Sequence, residues 1–215
     1  MGWWALATHA TGCTVGPFAV RQELEIHEGR LEATDAFIRL NQLNTTSGAT
    51  SDARIGLVAA GKTYYDLREA LDRMGLNDAA LEQRGIRIYK PAVVWPLQPD
   101  GVREFAQGLD TIVVVEEKRA FVEMFMREIL YGSTNAPVIL GKRDSDNGFW
   151  FPGHGEMDAD LIARKIRPFL VERLGEEAVG PAVRERVTIP VALGAPDTKT
   201  VSYTHLRAHE TEADL

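Results

Sequence analysis

The sequence predicts an α/β fold: a small, mostly parallel sheet with helices on both faces, spanning residues 54–175. Two observations predict it. Four apolar runs of strand length recur in this region, each followed by a stretch with helical spacing. Arg54–Ala60 is also a continuous apolar run rather than an alternating one, as a strand covered on both faces requires. Right-handed crossovers follow from that order.

Arg54–Ala60 is the first strand, and Gly61-Lys62-Thr63 is expected to make a turn. Tyr64–Met74 reads as a helix because Tyr64, Leu67, Leu71 and Met74 share one face, and Gly75 is its stop. Ile86–Tyr89 is the second strand, followed by Pro91–Pro96. Pro99–Gln107 is a helix with proline in its first turn and Val102, Phe105 and Ala106 facing the core. Thr111–Glu116 is the clearest buried strand. Arg119–Tyr131 is a helix with Phe121, Val122, Phe125, Ile129 and Leu130 expected inward. Pro137–Gly141 is the fourth strand, and Asp158–Leu174 is a helix with Asp158 as its N-cap.

Residues 1–53 read as an N-terminal remnant and linker. Asn44–Ser51 in particular is small, polar and aperiodic. Residues 176–200 read as a linker. Val201–Thr211 resembles translated sequencing-adapter sequence, so 201–215 is taken as foreign to the fold and given no function.

Composition excludes several classes. Lys and Arg total 24 against 31 Asp and Glu, a net charge of −7 with no basic stripe, which argues against nucleic acid as a partner. The single cysteine, Cys13, excludes a disulfide framework and a four-cysteine iron–sulfur cluster built from this chain. No apolar run approaches about 18 residues, and the start Met1–Ala7 lacks the basic and long apolar segments of a signal peptide. A cytoplasmic protein that meets no membrane is the expectation.

In a parallel sheet, ligands and partners meet the carboxyl ends of the strands. Here those ends carry Gly61, Lys62 and Thr63; Trp95 and Pro96; Glu116, Glu117, Lys118 and Arg119; and Gly141–Asp144. Gly56-x-x-x-x-Gly61-Lys62-Thr63 matches the phosphate-loop pattern. Yet Leu57, Val58, Ala59 and Ala60 read as strand rather than loop, so Gly56 is expected inside the strand. Lys62 and Thr63 remain placed to meet an anion at a helix N-terminus. Asp144-Ser-Asp-Asn-Gly148 hints at a calcium loop, but Gly155 stands where the twelfth-position acid belongs, so a polar turn is expected. His154, flanked by glycines, is read as a loop histidine bonded to backbone. His205 and His209 have metal-ligand spacing but lie in the foreign-looking tail. Glu116–Arg119 reads either as a solvated charge cluster or as part of an interface.

Ile55–Asp66, Gly85–Lys90, Trp95-Pro-Leu, Ile112–Arg119, Gly141-Lys-Arg143 and Gly153-His-Gly-Glu156 together resemble, in this order, the indolepyruvate ferredoxin oxidoreductases. These are a branch of the thiamine diphosphate-dependent 2-oxoacid:ferredoxin oxidoreductases. The resemblance covers about residues 53–175. It implies a domain like the C-terminal domain of transketolases, lying between two thiamine-binding domains and packing in a dimer. It implies a parent enzyme that oxidatively decarboxylates aryl-pyruvates to acyl-CoA and passes electrons to ferredoxin. That enzyme would use thiamine diphosphate, magnesium and iron–sulfur clusters. The chain lacks the Gly-Asp-Gly…Asn pattern that would hold magnesium and diphosphate, so no catalytic, cofactor or metal residue is carried over to it.

Three readings follow. The first is a non-catalytic structural domain presenting its rim to missing domains and a dimer partner, inactive alone, with residues 176–200 leading toward a missing thiamine-binding domain. The second is a free-standing nucleotide-binding α/β module using Gly61-Lys62-Thr63. The third is an interaction module without a ligand.

Overall fold

The computed structural model describes residues 17–180. Five strands form one sheet: β1 Thr45–Gly48, β2 Ile55–Val58, β3 Ile86–Lys90, β4 Thr111–Val114 and β5 Val138–Leu140. Their spatial order is β1-β3-β2-β4-β5. β2 runs parallel to both β3 and β4, and β4 parallel to β5, whereas β1 is antiparallel to β3. The fold is therefore α/β with a mostly parallel sheet. Among the described helices are α1 Pro17–Glu25, α2 Leu31–Leu40, α3 Gly61–Arg73, α4 Asp78–Gln83, α5 Pro99–Ala106, α6 Val122–Leu130, α7 Ala159–Leu174 and α8 Glu176–Val179, with a π-helical segment Ile26–Arg30 joining the first two.

Every residue of β2 and β4 is buried, as the continuous apolar runs require of strands covered on both faces. Leu57 and Val113 point toward α3 and α7, where they join Leu67, Leu71, Ile162 and Ile166. Val58, Ile112 and Val114 point the other way and join Tyr89, Phe105, Val102, Met126 and Leu130 on the α5–α6 side. Gly56 makes the second layer fit: a Cβ there would lie 2.6 Å from Leu109 Cδ1 and 2.8 Å from Phe105 Cζ.

Helix ends follow local chemistry. Gly75, at φ +75°, ends α3: its N–H donates to the Asp72 carbonyl at 3.0 Å and the Leu76 N–H donates to the Leu71 carbonyl at 2.9 Å. Asp158 caps α7 by accepting from the Leu161 N–H at 2.8 Å, as expected from sequence. Asn77 and Gln98 cap α4 and α5 in the same manner. Arg87, in β3, donates to the carbonyls of Ala49, Phe105 and Gln107, and so ties the end of β1 to the C-terminus of α5.

Four expectations change. The linker-like stretch Asn44–Ser51 carries β1, because the free edge of β3 offers it a hydrogen-bonding partner. Gly61-Lys62-Thr63 is not a separate turn: the chain passes through Ala59 and Ala60 directly into α3, with Gly61 at φ +55°. α6 begins only at Val122. Of the residues expected to face inward there, Val122 and Leu130 are buried but Phe121 is exposed, and Met126 and Glu123 take core positions instead. α4, too short to show a period, was not expected. Among the described residues no helix is long and apolar enough to cross a membrane.

Replacing Gly56 by alanine should overpack the α5 side. We expect a loss of about 1–3 kcal/mol in urea-induced unfolding, with the fold retained.

Candidate functional site

The strand order reverses between β3-β2 and β4-β5, which places a topological switch point at the carboxyl ends of β2 and β4. A cleft of about 200 Å³ opens there. Ala59, Ala60 and Thr63 form one wall, Glu116, Phe121 and Val122 the other, with Val94 at its edge. Val94, Trp95 and Phe121 are exposed on the rim. The Trp95–Pro96 peptide is cis.

In the charged cluster that follows β4, Glu116 and Glu117 are half-buried while Lys118 and Arg119 are exposed. Glu116 is a cap for α6: Oε1 accepts from the N–H groups of Phe121 at 3.0 Å and Glu123 at 3.2 Å, and Oε2 from Val122 at 2.9 Å. Glu117 Oε1 accepts from the Met157 N–H at 3.1 Å. Lys118, in the left-handed region at φ +57°, donates to the Gly155 carbonyl at 2.5 Å. Together Glu117 and Lys118 hold the loop before α7 against the rim. Arg119 is exposed.

Lys142 lies beneath this cluster. Its Nζ donates to the Glu116 carbonyl and to the Pro152 carbonyl, the latter at 3.0 Å. Burial pushes the Glu116 carboxyl above its ordinary value, opposed by the three N–H donors and by Lys142. Burial pushes the Lys142 ammonium below its ordinary value, opposed by Glu116, Glu123 and Glu117.

On the facing wall, Lys62 is bound by Asp66 at 2.9 Å and by Glu156 at 3.2 Å. Hydrogen bonds to these two carboxylates raise its pKa. Gly56 lies in β2, paired with Arg87 and Ile112. The G-x-x-x-x-G-K-[ST] stretch is thus strand and helix with a committed lysine, not a glycine loop around a phosphate.

The other motifs resolve locally. Asp144 Oδ1 accepts from the N–H groups of Asp146 at 3.1 Å and Gly148 at 2.7 Å, closing a polar turn. His154 is exposed in the loop before α7, and no described group bonds its ring, so the expected backbone bond is not formed. Cys13, His205 and His209 lie outside the described residues. Among the described residues, no group of three or more His, Cys, Asp or Glu side chains is placed to hold a metal ion.

Sequence reasoning missed the buried acid next to the site. Glu123 bonds Arg127 at 2.9 Å and accepts from the Lys142 N–H at 2.9 Å. A Cβ at Gly141 would fall 2.2 Å from Glu123 Oε2, so the close approach needs glycine. Glu123 and Arg127, four apart with opposite charge, were the available signal.

A model of the indolepyruvate oxidoreductase domain family matches residues 45–188. Indolepyruvate oxidoreductase subunit IorA of Methanothermobacter marburgensis is 25% identical over 126 residues, 59% of this chain and 18% of that protein. Its namesake in Thermococcus kodakarensis is 27% identical over 113 residues, 53% of this chain and 14% of that protein. The chain thus spans less than a fifth of the length of the curated relatives it matches. The solved 2-oxoglutarate:ferredoxin oxidoreductase of Magnetococcus marinus aligns with a TM-score of 0.46 at 16% identity, over 71% of this chain and 23% of that one.

The Glu116 cap gives a stability test with a defined sign. A carboxyl whose folded pKa is raised contributes stability that is full below its unfolded value and lost as pH rises through the folded value. Glu116→Gln does not ionise. The wild type minus variant difference in unfolding free energy should therefore fall as pH rises from about 4.5, the ordinary value. Glu116→Ala, which removes the acceptor, should cost about 1–2 kcal/mol at neutral pH. Urea melts from pH 4 to 7 (a span of about 3 units around that window) measure both.

Proposed function

The chain belongs to the indolepyruvate oxidoreductase domain family, and on that premise we propose that it is a non-catalytic structural domain of a 2-oxoacid:ferredoxin oxidoreductase. The parent enzyme would oxidatively decarboxylate aryl-pyruvates such as indolepyruvate to acyl-CoA and hand electrons to ferredoxin. Thiamine diphosphate, magnesium and iron–sulfur clusters would be held by other domains.

The observation that carries the reading is the state of the rim. Its charged groups are consumed internally: Glu116 by α6, Glu117 and Lys118 by the loop before α7, and Lys62 by Asp66 and Glu156. Beside the exposed Arg119, what the rim leaves outward is apolar: Val94, Trp95 and Phe121, flanked by Met124. A rim of this kind suits packing against protein better than proton transfer or nucleophilic attack. The sequence lacks the Gly-Asp-Gly…Asn pattern that would hold magnesium and diphosphate, which supports leaving that cofactor to other domains. The span of the family match, set against the length of the relatives, supports a domain that works beside others.

Calorimetric titration of the 215-residue chain with magnesium–thiamine diphosphate tests this. No saturable heat is expected, and saturable binding at micromolar concentration would overturn the reading. The apolar rim gives a second readout: a Trp95→Ser, Phe121→Ser double variant should bind a hydrophobic dye less than wild type does.

A further inference from the structure

We propose that Asn147, in the polar turn after β5, is a spontaneous modification site, where the folded chain converts a side-chain amide to aspartate and isoaspartate. The proposal goes beyond the structural role above and does not rest on it.

The chain has five asparagines, and their surroundings separate them. Asn41 Nδ2 donates to the Phe37 carbonyl at 2.8 Å, Asn44 Oδ1 accepts from the Ala92 N–H at 3.0 Å, and Asn77 Oδ1 accepts from the Ala80 N–H at 3.0 Å. These three amides are held. Asn135 and Asn147 are exposed, at φ +57° and +64°, and no described group bonds either side-chain amide. The residue that follows tells them apart. Ala136 puts a Cβ beside the backbone nitrogen that would attack the amide, whereas Gly148 has none. Of the five, Asn147 alone joins a free amide to an unhindered nitrogen.

The turn also prepares that nitrogen. Gly148 N–H donates to Asp144 Oδ1 at 2.7 Å, so a carboxylate already lies in reach of the proton that must leave. Arg143 Nη1 donates to the Asn147 carbonyl at 2.6 Å. A cation therefore faces the oxygen of the same peptide unit and favours the negative charge that loss of the proton puts there. The reaction needs only water. The Gly148 nitrogen attacks Asn147 Cγ, a C–N bond forms, the Cγ–Nδ2 bond breaks, and Nδ2 leaves as ammonia with the Gly148 proton. Water then opens the cyclic imide. Addition at Cγ gives aspartate, addition at the main-chain carbonyl gives isoaspartate, and the ring nitrogen regains a proton either way.

Either product adds a negative charge beside Asp144 and Asp146. Isoaspartate also adds a carbon to the backbone of the turn. That carbon disturbs the bond from the Asp144 N–H to the Gly148 carbonyl at 3.0 Å. It disturbs in turn the Arg143–Phe149 bridge, where the guanidinium lies 4.4 Å from the ring centre.

The test incubates the folded 215-residue chain at neutral and mildly alkaline pH and follows its tryptic peptides by mass spectrometry. Cleavage after Arg127, Lys142, Arg143 and Arg164 puts Asn135 in peptide 128–142 and Asn147 in peptide 144–164. The mass rise of an amide turned acid is expected at least about tenfold faster in 144–164 than in 128–142, which is about 1.4 kcal/mol of barrier. A second chromatographic peak of equal mass should report isoaspartate. Gly148→Ala should slow the conversion about tenfold, because its Cβ crowds the attacking nitrogen. Free peptide 144–164 is incubated in parallel. Equal rates in the two peptides from the folded chain would overturn the proposal. Conversion of the free peptide without conversion in the folded chain would also overturn it, since the turn would then protect the amide. Both comparisons use the unaltered sequence, so the test stands if Gly148→Ala disturbs folding.

Discussion

The carboxylate of Glu116 sits where β4 ends and α6 begins, and the carboxyl rim is arranged around it. Its two oxygens take three N–H groups that the start of α6 would otherwise leave unpaired. Its own carbonyl accepts from Lys142, which reaches across from the end of β5 and also holds Pro152. One residue thus fixes a helix, an adjacent strand end and the loop leading to α7. Desolvation opposes this arrangement, which is why the Glu116 carboxyl is pushed up and the Lys142 ammonium down. The two stand because each is bonded to backbone atoms that would be costly to leave unmade.

A second acid extends the same device. Glu123 lies in the first turn of α6 and accepts from the Lys142 N–H, while Arg127 binds both Glu123 and the Ile139 carbonyl. Gly141 leaves the space this needs. The end of β5, an edge strand of three residues, is therefore held by side chains as much as by its ladder to β4. A rim built from carboxylate-to-backbone bonds is rigid, and its charges are not free for substrate. This physical ground underlies the reading of the domain as a scaffold rather than a catalyst.

Much of the fold was legible because burial on both faces leaves a strong mark. β2 and β4 read as unbroken apolar runs, and α3 and α7 show both a helical period and their end signals at Gly75 and Asp158. β1 was not legible. Thr45-Thr-Ser-Gly48 is a half-exposed edge strand whose existence depends on the open side of β3, a long-range fact absent from its own composition. The role of Glu116 was hidden for a related reason: its partners are backbone N–H groups, which carry no residue identity. The phosphate-loop string around Lys62 was legible for what it is, because Leu57, Val58, Ala59 and Ala60 carry an apolar strand run through its first half.

The same strand-to-helix junction occurs twice at the switch point, with opposite outcomes. At β4–α6 the chain supplies an acid six residues before the first helical N–H group it serves, and the loop between is long enough to fold the carboxylate back. At β2–α3 only Ala59 and Ala60 separate strand from helix, and neither carries an acceptor. A two-residue connection leaves no length for a side chain to return to the helix it precedes, unless that side chain is at the N-cap itself. Loop length, more than any single residue, therefore decides which helix N-terminus the protein fills from within and which it leaves to face the cleft.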